Sequence, residues 1–263
     1  FHHVLANTLI ANVTTSYLWF ALTFWVYLET GHVGLTGGLN GLYMGLIAIG
    51  SIFFGSVVDH NRKKNVMMFA AVTTFACFAA ATAVWVIGVT PGEISATDPA
   101  LLLFAGLVLT GAVVEHMRNI ALSTVVTLLV PEDRRDKANG LVGTVQGVAF
   151  FATSIFSGLS IGYLGMEPTI WIALLLTVIT LIHLIPVTIP ERRILSTAEV
   201  AAAGAEGGTS TSPEAVPVSA GLDLRGSWAI IIAVPGLLAL VLFTCCNNLI
   251  GGAYGALIDP YGL

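Results

Sequence analysis

The chain of 263 residues is 56% hydrophobic and only 10% charged, with ten Lys and Arg against fifteen Asp and Glu for a net charge of −5. A soluble domain of this size carries about 25% charged residues to cover its surface, so a water-facing globule is excluded. Several apolar runs instead reach the roughly 20 residues, at 1.5 Å rise each, that cross a bilayer. Lipid is the expected solvent.

The runs fall near residues 4–28, 34–58, 65–88, 100–130, 138–164, 168–189 and 227–257. Thr90-Pro91-Gly92, Asp98-Pro99, Pro131 and Glu167-Pro168 punctuate their boundaries. Read as helices, they give a six-helix bundle over 1–190, a linker over 191–226, and a first helix of a C-terminal half over 227–263. The linker is rich in Ala, Gly, Ser, Thr, Glu and Pro, too poor in large apolar groups to fold alone, and reads as flexible and cytoplasmic. Phe1 opens the chain and Asp259-Pro260-Tyr261-Gly262 nearly closes it, so both ends read as truncated. Trp19, Trp25, Tyr27, Trp85, Tyr163 and Trp171 lie towards span ends, where amphipathic rings favour the interface. Cys77, Cys245 and Cys246 all sit inside apolar runs, and no disulfide framework is expected.

Basic residues set the orientation. Arg62, Lys63 and Lys64 follow the second run, Arg134, Arg135 and Lys137 the fourth, and Arg192, Arg193 and Arg225 the sixth. The alternate loops hold only Glu29, Glu93, Asp98 and Glu167. The positive-inside rule then places the N-terminus and the basic loops in the cytoplasm, in an inner membrane.

Polar groups inside spans should face other helices or a wet cavity, since Asp, Lys or Arg at mid-span costs about 2.5–3.5 kcal/mol. Asn7 and Asn12 mark helix 1, Asn40 helix 2, and Glu115, Arg118 and Asn119 helix 4. Asn139 and Gln146 mark helix 5, and Asn247 and Asn248 helix 7. Helices 3 and 6, whose interior polar groups are hydroxyls, Cys77 and His183, are expected to face lipid while the other five enclose the interior. Gly37, Gly41 and Gly45 in helix 2, and Gly143 with Gly147 and Gly158 with Gly162 in helix 5, recur at the spacing that lets backbones approach closely. The shared pattern in the middle helix of each triplet hints at an inverted three-plus-three repeat.

Glu115 and Arg118, three apart near the middle of the fourth span, share a helical face. Pairing lowers the cost of burying each. They read either as a structural ion pair fixing helix 4 or as a substrate or proton site, with Asn12, Gln146, Asn247 and Asn248 as polar lining. His116 is expected to point to a different face.

The segment Gly55-Ser56-Val57-Val58-Asp59-His60-Asn61-Arg62-Lys63-Lys64 resembles the loop 2–3 signature of the major facilitator superfamily: a glycine, an aspartate four on, then a basic cluster. Loop 4–5, from Pro131 to Gly140, and helix 7 with Asn247-Asn248 look like those of its drug-efflux branch, which contains macrolide-efflux-type proteins. His60 and Arg62 stand where that signature often has Arg and Gly, and helix 5 lacks the Gly-Pro signature of drug–proton exchangers. The resemblance implies alternating access between two helical halves, the second one mostly missing here. It implies a cytoplasmic latch of Asp59 with Arg62, joined by Arg134 or Arg135, and export of hydrophobic or amphipathic molecules such as antibiotics by ion-driven antiport. The expected partners are the bilayer, a small-molecule substrate, protons and the missing half, with no nucleic acid, cofactor or metal.

A signalling receptor would need an extracellular N-terminus, which the cations oppose. Gly158-Leu159-Ser160-Ile161-Gly162 matches a serine-nucleophile pattern. Ser160 and His183 nevertheless lie at opposite ends of their helices, roughly 15–20 Å apart in depth. No enzymatic activity is expected. A channel or a non-transporting membrane subunit stays open as the alternative.

Overall fold

A computed structural model describes residues 2–89, 95, 97–189 and 232–261, with the backbone alone at 249 and from 252 onward. The helices are α1 (His2–Thr30), α2 (Val33–His60), α3 (Lys63–Gly88), α4 (Pro99–Leu129), α5 (Arg135–Leu164), α6 (Met166–Leu184) and α7 (Leu237–Tyr261), with a 3-10 turn at Glu132–Arg134. Among the described residues, α1 to α6 are long and apolar enough to cross a membrane, and α7 is apolar over Leu237–Asn248. The linker 191–226 lies outside the described residues, as do Thr90-Pro91-Gly92 and the cations Arg192, Arg193 and Arg225.

Local chemistry sets the boundaries. Pro99 occupies the first turn of α4, where its missing N–H costs nothing, and the Asp98 carboxylate accepts from the Ala100 N–H at 2.8 Å. Gly165 takes φ +81 between α5 and α6, and its N–H reaches the Ser160 carbonyl at 3.1 Å. The expected seventh run at 227–257 is interrupted, and α7 starts only at Leu237. Pro235 lacks a donor and Gly236 adopts φ +84, which no continuous helix can accommodate.

The packing has the symmetry of a three-plus-three repeat. Exchanging α1 with α4, α2 with α5 and α3 with α6 maps the neighbour pairs onto one another. Thus α1 on α5 corresponds to α4 on α2, α3 on α4 to α6 on α1, and the pairs α1–α4 and α3–α6 to themselves. The core falls into two apolar clusters. One is built on Leu22, Trp25, Trp85, Phe104 and Val108, the other on Val58, Met67, Leu122, Val125 and Leu184. Trp25 and Trp85 pack edge to face at 4.8 Å and are each 5% exposed, so they anchor the core rather than the lipid interface. Trp171 and Tyr163 are exposed, as an interfacial ring should be.

Two expectations about faces fail. The least buried span is α2, where only Thr36 and Val58 are buried. Meanwhile α3 and α6 pack on each other and lend groups to the polar interior, although Phe69, Val72, Leu175 and Ile182 are exposed on their far faces. The glycine stripes make no close approach either. A Cβ at Gly37, Gly41, Gly45, Gly55, Gly143, Gly147, Gly158 or Gly162 would meet nothing within 4 Å. The close approach is instead at Gly111 on α4, where a Cβ would lie 2.8 Å from the Phe78 ring and 3.3 Å from Cys77 Cβ. Spacing identifies a small face; it does not say which small face has a neighbour.

Candidate functional site

Glu115 and Arg118 are 3% and 0% exposed and form an ion pair through Arg118 Nε. The rest of the guanidinium binds α1 and α3. Its Nη1 donates to Asn7 Oδ1 on α1, and its Nη2 to the Met67 carbonyl of α3 at 3.2 Å. The second Glu115 oxygen accepts from Thr74 Oγ1 at 3.0 Å. Asn7 Nδ2 donates to the Thr180 carbonyl of α6 at 2.9 Å and lies 3.3 Å from His183 Nδ1. Arginine can only donate and a carbonyl only accept, so the Asn7 amide has one orientation. His183 Nδ1 must then accept, leaving its proton on Nε2. One buried network therefore ties α1, α3, α4 and α6 together. Composition hid the roles of α3 and α6 because they contribute backbone carbonyls, a hydroxyl and an imidazole.

On the other side of Glu115 lies a cavity of about 280 Å³ between α1, α4 and α5, with Tyr43 of α2 on its wall. Each of the three helices presents one face. From α4 come Ala112, Glu115, His116 and Asn119; from α1, Asn12, Thr15 and Ser16; from α5, Gln146, Ala149 and Phe150. These are i, i+3, i+4 sets, which share a helix face. A residue turns about 100° around the axis, so the cavity face of α4 adjoins its buried face, Gly111, Arg118 and Leu122. Glu115 stands on the border. His116 is thus in the cavity with Glu115, contrary to expectation, while Arg118 is not among the lining residues. A void of about 10 Å³ touches Glu115 from within, among the hydroxyl-bearing Thr14, Thr74, Thr177 and Thr180.

Three carboxamides meet at the cavity. Asn119 Oδ1 accepts from Asn12 Nδ2 at 3.0 Å and from Gln146 Nε2 at 3.5 Å. Asn12 and Gln146 match the polar lining expected from the sequence; Asn119, His116, Tyr43 and Phe150 are additions to it. The spacing of Glu115 with Asn119 could have pointed to the second amide. Asn247 and Asn248 are exposed on α7 and line neither cavity.

The loop residues have capping roles in this structure. Arg135 donates to the Val130 and Thr127 carbonyls, at 3.2 and 3.0 Å, closing the C-terminus of α4. Lys64 Nζ reaches the Ile185 carbonyl beyond α6 at 2.8 Å, and Lys63 Nζ the Asn61 carbonyl at 3.3 Å. Among the described residues, Asp59 makes no ion pair with Arg62, Arg134 or Arg135. Arg134 pairs with Asp133 at 3.6 Å, but both are 75% exposed, so the pair contributes little. Among the described residues no cluster of His, Cys, Asp or Glu could hold a metal ion.

Ser160 is buried in a hydrogen-bond chain, 2.6 Å from Tyr17 Oη and 2.7 Å from Thr169 Oγ1. His183 is bound to Asn7, ten residues from Tyr17 along α1, or about 15 Å of helix. Neither partner of the serine is a base.

Membrane-length helices in a pseudo-symmetric bundle, with a polar cavity at mid-span, define an integral membrane protein whose interior handles polar groups. The family model for the Major Facilitator Superfamily matches residues 4–263. The chain belongs to that superfamily and is a membrane transporter, of a family generally without enzymatic activity. No curated protein and no solved structure matches it.

Proposed function

We propose that the chain is the N-terminal half, with the first helix of the second half, of a secondary transporter. It exports hydrophobic or amphipathic small molecules, antibiotics among them, by alternating access driven by an ion gradient. The observation that carries this reading is Glu115. It is a mid-span carboxylate at the border between a cavity and the buried network that joins four helices. A change in its hydrogen bonding reaches the substrate side through the cavity and the helix packing through Arg118 and Asn7. The exposed, largely apolar surfaces of α2 and α5 and their open glycine faces support docking of a second helical half there. The basic loops support a cytoplasmic N-terminus in the inner membrane. Asp59, Arg62 to Lys64, Arg134 and Arg135 share that cytoplasmic end, so the latch of Asp59 with the cations would form in another state of the cycle.

The test is energy-dependent efflux of a panel of dyes and antibiotics from cells carrying the full-length protein, at matched membrane expression. Export should stop when a protonophore or a sodium ionophore collapses the driving gradient and should fall at least tenfold in Glu115→Asp, which keeps the charge but withdraws it by one methylene. Export that survives both ionophores removes ion coupling, and wild-type protein that exports nothing from the panel removes the export reading.

A further inference from the structure

The cavity wall has a chemical character that narrows the substrate class, and this inference rests on the transport reading above. Its lining includes one carboxylate, Glu115, already ion-paired with Arg118 through Nε, and Thr74 Oγ1 lies 3.0 Å from its second oxygen and 3.1 Å from the Gly111 carbonyl. A positively charged ligand would find no unpaired anion there. The rest of the polar wall is amide, hydroxyl and the His116 imidazole.

The amide cluster leaves a definite set of hydrogen-bonding groups for a ligand. Asn119 Oδ1 is spent on Asn12 at 3.0 Å and Gln146 at 3.5 Å. Among the described residues, the Asn119 N–H donors, Asn12 Oδ1 and Gln146 Oε1 have no other partner, so the cluster offers both donors and acceptors to a ligand. Hydroxyl, carbonyl and amide groups of a ligand can exchange their water bonds for these nearly evenly. A permanent cation cannot, because burying a charge without a counter-charge is far costlier than burying a satisfied dipole. Tyr43 and Phe150 add two aromatic surfaces beside the cluster, and Trp19 stacks behind Tyr43 with ring centroids 4.6 Å apart. At about 280 Å³ the cavity is just below the range usual for small-molecule sites, about 300–1,000 Å³.

We propose that Asn12, Asn119 and Gln146 select uncharged amphipathic molecules bearing hydroxyl or amide groups, with Tyr43 and Phe150 packing on their apolar part, and that the pairing of Glu115 with Arg118 makes the site reject permanent cations. The experiment reconstitutes the full-length protein in lipid vesicles. It compares transport of chloramphenicol, an uncharged aromatic with hydroxyl and amide groups, with that of ethidium, a permanent aromatic cation. Wild type should move chloramphenicol at least tenfold faster than ethidium. Asn119→Asp and Gln146→Glu, which add a negative charge at nearly constant shape, should lower chloramphenicol transport at least tenfold and raise that of ethidium. Gln146 is exposed, so Gln146→Glu tests the idea even if Asn119→Asp fails to fold. Ethidium moved by wild type as fast as chloramphenicol, or chloramphenicol transport unchanged in Gln146→Glu, overturns this inference and leaves the transport reading standing. Movement of neither compound by wild type overturns this inference, and the export reading falls with it only if the cell-efflux panel is also negative.

Discussion

Replacing Glu115 by Gln should destabilise the protein sharply, and replacing Arg118 as well should restore it. Arg118 is 0% exposed, and Glu115 is its sole counter-charge among the described residues. Glu115→Gln keeps the shape but removes the charge: its amide oxygen can accept from Arg118 Nε and its NH2 can donate to Thr74, whose hydroxyl then turns to the Gly111 carbonyl at 3.1 Å, so the guanidinium stays in the core with neutral acceptors alone. Breaking a buried pair in this way costs about 3–5 kcal/mol, most of it the uncompensated charge. For a chain of this size, 3 kcal/mol corresponds to a fall in Tm of roughly 6–12 °C. Glu115→Gln with Arg118→Met removes both charges and fills the volume, so it should regain most of the loss. The structure supplies a reporter. Cys77 is half-buried beside Gly111 at the α3–α4 contact, whereas Cys245 and Cys246 are exposed. With Cys245, Cys246 and any cysteine outside these 263 residues changed to Ser in the full-length protein, a thiol-reactive fluorophore reads the exposure of Cys77 against temperature. A Glu115→Gln melting point within 2 °C of wild type, or a double variant less stable than the single, would falsify the view that this pair fixes the bundle.

Two further outcomes follow from the packing. Gly111→Ala should cost about 1–3 kcal/mol, since its Cβ would lie 2.8 Å from the Phe78 ring. Gly106→Ala, five residues earlier on the same helix with nothing within 4 Å of its Cβ, should melt like wild type; equal losses at both positions would refute the contact. Ser160→Ala should cost about 1 kcal/mol by breaking the Tyr17–Ser160–Thr169 chain. A fluorophosphonate probe should not label Ser160, and labelling that disappears in Ser160→Ala would contradict its structural role.

Much of this protein is legible in its amino-acid sequence. The charge deficit and the lengths of the runs dictate membrane helices, and the six spans of the bundle lie where hydropathy puts them, because lipid forces each span to satisfy its own backbone. The loop motif around Gly55 and Asp59 points to the superfamily that the family model matches over residues 4–263. Gly236 shows the limit even at this level: hydropathy alone carries a seventh helix straight through Pro235-Gly236, and the backbone breaks there.

Residue order and composition are enough to set the solvent, the number of spans in the bundle and the presence of an ionisable pair at mid-membrane. What each polar residue meets depends on how the helices pack. A helix turns about 100° per residue, so Arg118 enters the core while His116 and Asn119 border the cavity, and nothing within α4 says which of its faces α1, α3 or α5 will cover. The same holds for the glycines. Gly41 and Gly111 are chemically identical, but of the two only Gly111 has a neighbouring helix within van der Waals reach, because proximity is a property of two helices and the sequence pattern describes one at a time.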